Sequence, residues 1–168
     1  MTKQIRQYIG LLSAVAAYYI IHEGAHLLYA LITGVFKQIN FMGLGIQIDI
    51  YRELLTDSQL GLFCFMGVVA SQFAAYAMVA GKAVICRSPS KLLKAVCYYI
   101  TIVLLLLDPL YLSLLCDLVG GGDMNGIALL IPEATARICF GILLAINVLV
   151  FWKSLLPCYT ASFKEDEA

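Results

Sequence analysis

Charge is scarce in this 168-residue chain: 13% of its residues are Asp, Glu, Lys or Arg, with eleven of each sign and a formal net charge of zero. Soluble globular chains carry about 25%. So little charge excludes a disordered segment, a coiled coil and a charge-steered nucleic-acid binder, so no nucleic-acid partner is expected. Histidine is scarcer still, at two residues. The six cysteines at 64, 86, 97, 116, 139 and 158 form no Cys-x-x-Cys or other ligand spacing. They are expected to be reduced and mostly structural, as small hydrophobes. No repeat, low-complexity tract or linker interrupts the chain, which argues for one domain over residues 1–168.

Apolar residues make up 62% of the sequence and the mean hydropathy is +0.90. The solvent of such a chain is largely lipid. Residues 58–81 contain no ionisable group, residues 95–116 only Asp108, residues 7–36 only His22, Glu23 and His26, and residues 138–152 none. A helix crosses the hydrocarbon core in about 20 residues at 1.5 Å each, so the first three gaps suffice outright. The last suffices if Arg137 and Lys153 snorkel, with Trp152 at the interface. The expectation is an all-α polytopic membrane protein with transmembrane helices near 5–34, 58–81, 92–117 and 135–156. The apolar run behind Lys3 and Arg6 outlasts the 7–15 residues of a signal-peptide core, favouring a retained first helix. Lys3, Arg6, Lys82, Arg87, Lys91, Lys94, Lys153 and Lys164 share one side of this topology. Both termini are therefore expected in the cytoplasm of a multi-pass protein, with a bacterial cell membrane as its setting.

Residues 35–57 are too polar to span. Within them Ile46-Gln47-Ile48-Asp49-Ile50 alternates with period two, which predicts a half-buried strand in a small membrane-associated β-hairpin between helices 1 and 2, turning at Gly43 or Gly45. The alternative is an irregular amphipathic loop at the membrane surface. The tail Lys164-Glu165-Asp166-Glu167 is expected to be solvated and frayed. Gly67, Ser71 and Ala75 recur every four residues, as on a close-packing helix face.

Both histidines fall in one pentapeptide, His22-Glu23-Gly24-Ala25-His26. Positions i and i+4 share a helix face, so both imidazoles can reach one metal ion while Glu23 addresses a bound water. This is the His-Glu-x-x-His arrangement, with Glu as general base. A charged group at the centre of a membrane helix costs about 2–3 kcal/mol, and a bound cation offsets that cost. Without a metal, the three groups would form a hydrogen-bonded polar cluster or line an ion path. A catalytic zinc needs a third protein ligand, and with no histidine left it must be a carboxylate. Asp108, Asp117 and Asp123 are the candidates. Asp123 lies in Gly120-Gly121-Gly122-Asp123-Met124-Asn125-Gly126, a break tolerated at membrane depth only where it is buried in protein or lines a watery cavity. Asn125 could then hydrogen-bond a substrate oxygen; the alternative for the segment is a plain extramembrane turn with an exposed Asp. Asp108, followed by Pro109, could be the ligand or could orient a ligand imidazole. Asp117 looks like an interfacial helix-end residue.

His22-Glu23-Gly24-Ala25-His26, with the trailing Leu27 to Gly34, resembles the motif helix of the site-2 protease family of intramembrane zinc metalloproteases. Gly122-Asp123-Met124-Asn125-Gly126-Ile127 resembles that family's second motif. The resemblance spans the order of elements over roughly residues 15–130. It implies Zn2+ held by His22, His26 and Asp123, a membrane-spanning protein or peptide as substrate, and strands that clamp the unwound substrate by edge pairing. Two features depart from the family: the Asn-Pro-rich run before the Asp-Gly pair is missing, and the charge count turns the motif helix opposite to the usual direction. The expected activity is that of a zinc metalloendopeptidase with Glu23 as base on a zinc-bound water. The rivals are a transporter or channel passing protons or metal ions through the His/Glu/Asp cluster, and a non-proteolytic membrane interaction protein.

Overall fold

The computed structural model describes residues 2–42, 45–120 and 122–165. Helix α1 (Lys3–Thr33) starts where the Thr2 hydroxyl accepts from the Ile5 amide, and it stops at Gly34, whose φ of 72° suits a residue without Cβ. A hairpin follows, β1 (Phe36–Met42) antiparallel to β2 (Gly45–Ile50), with Ile39 opposite Ile48 and Phe41 opposite Ile46. Ile48 is buried and Gln47 exposed, as period two requires. Gly45 is the first residue of β2; a turn at Gly43 lies outside the described residues.

Helix α2 (Asp57–Cys86) opens with a capping box in which Thr56 and Gln59 each satisfy the other's backbone amide. Helix α3 (Lys91–Leu110) is capped by Ser90 and runs through Pro109 into a π-helical stretch, Tyr111–Leu115, and the short α4 (Cys116–Val119). Pro109 lacks an amide hydrogen, so the Leu105 carbonyl one turn earlier loses its helical donor. The Asn147 side-chain amide donates to that carbonyl instead, at 2.6 Å. The one-turn helix α5 (Gly122–Ile127), α6 (Glu133–Val150), a second π-helical stretch (Phe151–Leu155) and α7 (Leu156–Glu165) complete the chain.

Among the described residues four helical segments are long and apolar enough to cross a membrane: Lys3–Thr33, Asp57–Cys86, Lys91–Leu118 and Glu133–Lys164. The last outruns the expected end near residue 156. The helix continues past Lys153, and Leu155, Tyr159 and Ser162 on the continuation are buried. Ser162 also receives the buried Lys94 ammonium, at 2.9 Å. Lys164 and Glu165 of the expected frayed tail are helical; residues 166–168 lie outside the described residues. All six cysteines are free.

The main apolar core, including Ile48, Phe63, Val68, Leu112, Met124 and Phe140, sits at the hairpin end of the bundle. There α5 lies directly on α2, because a Cβ on Gly126 would fall 2.2 Å from the Cys64 sulfur. That close approach fixes the position of Asp123, one helical turn earlier.

Candidate metal centre

His22 and His26 lie on the buried face of α1, with side chains 5% and 4% exposed. At 1.5 Å per residue they stand roughly 12–18 Å from the Gly34 end of the helix, within the span and nearer the hairpin. Their Nε2 atoms are 3.2 Å apart. Asp123 reaches them from α5, with one carboxylate oxygen 3.0 Å from His22 Nε2 and the other 3.5 Å from His26 Nε2.

The opposite side of each ring is tied down. His26 Nδ1 donates to the Phe63 carbonyl at 2.8 Å. A carbonyl only accepts, so the ring proton sits on Nδ1 and Nε2 presents its lone pair. His22 Nδ1 faces Asp108 at 3.3 Å. The Asp108 carboxylate, 1% exposed, also accepts from the Tyr18 hydroxyl at 2.5 Å and from the Ser71 hydroxyl. Two imidazoles with Nδ1 engaged thus turn Nε2 toward a third, acidic group. Such a convergence repels unless a cation, proton or metal ion, lies between the groups.

The spacing fits a metal. Zinc–ligand bonds of about 2.0–2.1 Å place tetrahedral ligand atoms about 3.3 Å from one another. The three separations of 3.2, 3.0 and 3.5 Å bracket that value. The space beside them is kept clear by Gly67 on α2, where a Cβ would lie 2.5 Å from His26 Nε2 and 2.6 Å from His22 Nε2. The Gly67/Ser71/Ala75 stripe is therefore a packing face, as expected, that also makes room for two imidazoles at Gly67 and grips Asp108 at Ser71.

Glu23 carries a carboxylate oxygen within 4.8 Å of the imidazole nitrogens. It accepts from the backbone amide of Ile48 at 3.3 Å, tying β2 to α1. Ile48 pairs with Ile39 on the other side, so Glu23 meets the outer edge of β2. His22, Glu23, His26, Asp123 and Ile48 border a cavity of about 530 Å³ whose walls also include Tyr19, Ile46, Leu107 and Tyr111.

The structure thus brings together His22, His26, Asp123 and Glu23, with Asp108 behind His22. Asn125 is not brought in: it is exposed on α5 and does not line the cavity. Asp117 is exposed and bound to Arg137, which also bridges to Glu133 at 2.6 Å. Tyr18, Ser71, Gly67 and the Phe63 carbonyl were not anticipated as parts of the site. Tyr18 does carry a signal, standing one turn before His22 on the same helix face. Comparison with protein families, curated proteins and solved structures finds no match to this chain.

Proposed function

We propose that this chain is an intramembrane zinc metalloprotease of the site-2 type, cleaving a membrane-embedded protein or peptide. The observation that carries the reading is the convergence of His22 Nε2, His26 Nε2 and the Asp123 carboxylate at tetrahedral-edge spacing, with the Nδ1 atoms engaged from behind. His22, His26 and Asp123 would hold the ion. Bound there, zinc supplies an acidified water and a Lewis acid for a peptide carbonyl.

The chain's own residues do the rest. Phe63 and Asp108 fix the imidazole orientation and tautomer, which is how such sites keep their ligands aimed. Glu23 is the base: its carboxylate borders the cavity, takes the proton from the attacking water and returns it to the leaving amine. The strand Ile46–Ile50 holds an extended substrate by strand addition beside Glu23, since a helical peptide keeps its carbonyls hydrogen-bonded. The apolar cavity walls limit competing water. With the Lys- and Arg-rich helix ends in the cytoplasm, the hairpin and cavity lie toward the opposite face.

Proton or metal-ion passage is the rival. It requires titratable groups leading away from the cluster. Beyond Asp108 and Tyr18 the next buried polar groups are amides: Asn147 donates to Gln72 at 2.8 Å and accepts from Tyr76 at 2.6 Å.

The test is metal analysis and a cleavage assay on the purified full-length protein. Wild type is expected to hold one zinc ion per chain and His22→Ala none. Glu23→Gln is expected to keep zinc while cleavage falls by about 10²–10⁴-fold. Wild type without zinc, or normal cleavage by Glu23→Gln, overturns the reading.

A further inference from the structure

Helix α2 ends at Cys86, at the end of the bundle opposite the hairpin, and α7 packs against that end. Cys158 Sγ lies 3.0 Å from Cys86 Sγ and 4.0 Å from the Lys82 carbonyl, so it faces the last turn of α2. One turn further along the same face of α7, the Ser162 hydroxyl donates to the Cys86 carbonyl at 2.7 Å. Ser162 in turn accepts from the Lys94 ammonium of α3, 2.9 Å from its hydroxyl and 3.3 Å from its carbonyl. Two contacts one turn apart thus set the register of α7 on α2, and the second is anchored to a third helix. The two sulfurs meet because of that register and not because of local spacing, since 72 positions separate them in the chain.

This is the one sulfur–sulfur contact among the described residues. Cys64 and Cys116 are buried in the bundle, and Cys139 is exposed on another helix. Cys86 and Cys158 are half-buried, at the end of the bundle where Lys82, Arg87 and Lys91 stand, so a water-soluble reagent can reach them. Closing 3.0 Å to a bond of about 2.05 Å takes only a small χ1 rotation at each cysteine.

We propose that Cys86 and Cys158 are a redox pair, a disulfide site that staples α2 to α7 on oxidation by a low-molecular-weight disulfide. One cysteine thiolate attacks the small disulfide, forming a mixed disulfide and releasing one small thiol. The second cysteine attacks the protein sulfur of that mixed disulfide, forming the Sγ–Sγ bond and releasing the other small thiol. The two protein sulfurs are oxidised, the small disulfide is reduced to two thiols, and the two cysteine protons end on those thiols. The bond closes a loop that contains α3 to α6 and constrains the unfolded chain, so the oxidised protein is the harder to unfold. With these helix ends in the cytoplasm, as proposed above, small thiols keep the pair open at rest, and the bond is transient and reversible by the same exchange. The site is separate from the metal centre, and the proposal stands whether or not the chain is a protease.

The experiment uses full-length protein in neutral detergent at about pH 8.5, near the ordinary thiol pKa, with and without oxidised glutathione. Remaining thiols are alkylated after denaturation, and intact mass and non-reduced peptide maps are read by mass spectrometry. Wild type is expected to lose two of its six alkylatable thiols, to yield one peptide linked through Cys86 and Cys158, and to unfold at a higher temperature than the reduced protein. Dithiothreitol should restore all six thiols and the lower unfolding temperature. C86S and C158S should form no internal disulfide and show no rise in unfolding temperature, the cysteine that remains carrying at most a glutathione adduct. C139S, which removes the exposed thiol, should form the bond like wild type. Six alkylatable thiols after oxidation overturn the proposal. So does a stable glutathione adduct on Cys86 or Cys158 of wild type in place of the bond. A bond from either cysteine to Cys97 or Cys139 overturns the pairing, and a bond that forms without raising the unfolding temperature overturns the staple.

Discussion

Two buried polar clusters lie one turn apart in this bundle, and both hinge on the dipeptide Asp108-Pro109. Asp108 belongs to the first, with Tyr18, Ser71, His22, His26 and Asp123. Pro109 generates the second, because the Leu105 carbonyl it leaves without a donor is taken up by Asn147, which also holds Gln72 and Tyr76. In the second cluster the donors and acceptors match: amide meets carbonyl, phenol meets amide oxygen, and Gln72 closes on the Leu104 carbonyl at 2.9 Å. In the first cluster Phe63 and Asp108 hold the backs of the imidazoles, while at the front two ring nitrogens and a carboxylate share one small volume and need a proton or metal ion between them. A closed network stabilises a fold; a network that needs an added cation is a candidate site.

The sharpest way to break that contrast is to fill the small volume itself. Gly67→Ala puts a methyl group 2.5–2.6 Å from both Nε2 atoms. Zinc binding should be abolished while the helix, gaining about 1 kcal/mol of intrinsic propensity, stays folded. Gly24→Ala, with nothing within 4 Å of the added carbon, is the matched control and should keep its metal. Zinc content by mass spectrometry, with circular dichroism for folding, reads both. Retention of zinc by Gly67→Ala would show that the ion is held elsewhere.

Next in size is the support behind the ring. Asp108→Asn keeps the shape but removes the charge facing His22 Nδ1. Zinc affinity should fall by about 10–100-fold, measured by chelator competition, with little change in fold. Asn147→Leu is the counterpart in the closed network. It strands the Leu105 carbonyl, Gln72 and Tyr76, and should lower stability by about 1–3 kcal/mol in denaturant titration without altering zinc affinity. If Asn147→Leu released zinc as readily as Asp108→Asn, the two clusters would be one functional unit and the contrast would fail.

The sequence made the open cluster more legible than the closed one. His22, Glu23 and His26 announce themselves by helical spacing inside an apolar gap, and Asp123 by a glycine-rich break between apolar stretches. Asp108 stood out as a lone charge, but ligand and orienting roles were equally open until its oxygens met His22 Nδ1. Ser71 gave no signal, and Tyr18 only its place one turn before His22, because a tyrosine in a membrane helix and a serine in a small-residue stripe are common for packing reasons alone. Asn147 was silent: its partner is a carbonyl orphaned by a proline 38 residues earlier, and only tertiary contact joins them. The four spans and the hairpin followed from where charge and periodicity fall. The end of the last helix was misplaced because Lys153 reads as an interface residue, whereas Tyr159 and Ser162 beyond it are buried by packing that local sequence does not encode.

The smallest expected effect lies in the hairpin, whose ion pair sets a solvated baseline for both buried clusters. Lys37 and Asp49 meet at 2.9 Å with side chains 44% and 29% exposed. Lys37 holds the Asp49 carboxyl below the usual carboxylate range, and Asp49 holds the Lys37 ammonium above the usual lysine range. The Asp49 contribution is present above its unfolded-state pKa and is lost as pH falls through the depressed folded value. The Lys37 contribution is present below its unfolded-state pKa and is lost as pH rises through the elevated folded value. Between those limits the pair should leave hairpin stability flat with pH, and Asp49→Asn should remove the acid limb while changing stability little, because solvent screens exposed pairs. Amide chemical shifts of residues 45–50, followed by NMR against pH, test this directly. Ile48 matters most among them, because its amide also binds Glu23. An acid transition there that survives Asp49→Asn would have to come from Glu23, and would tie the strand edge to the protonation state of the proposed base.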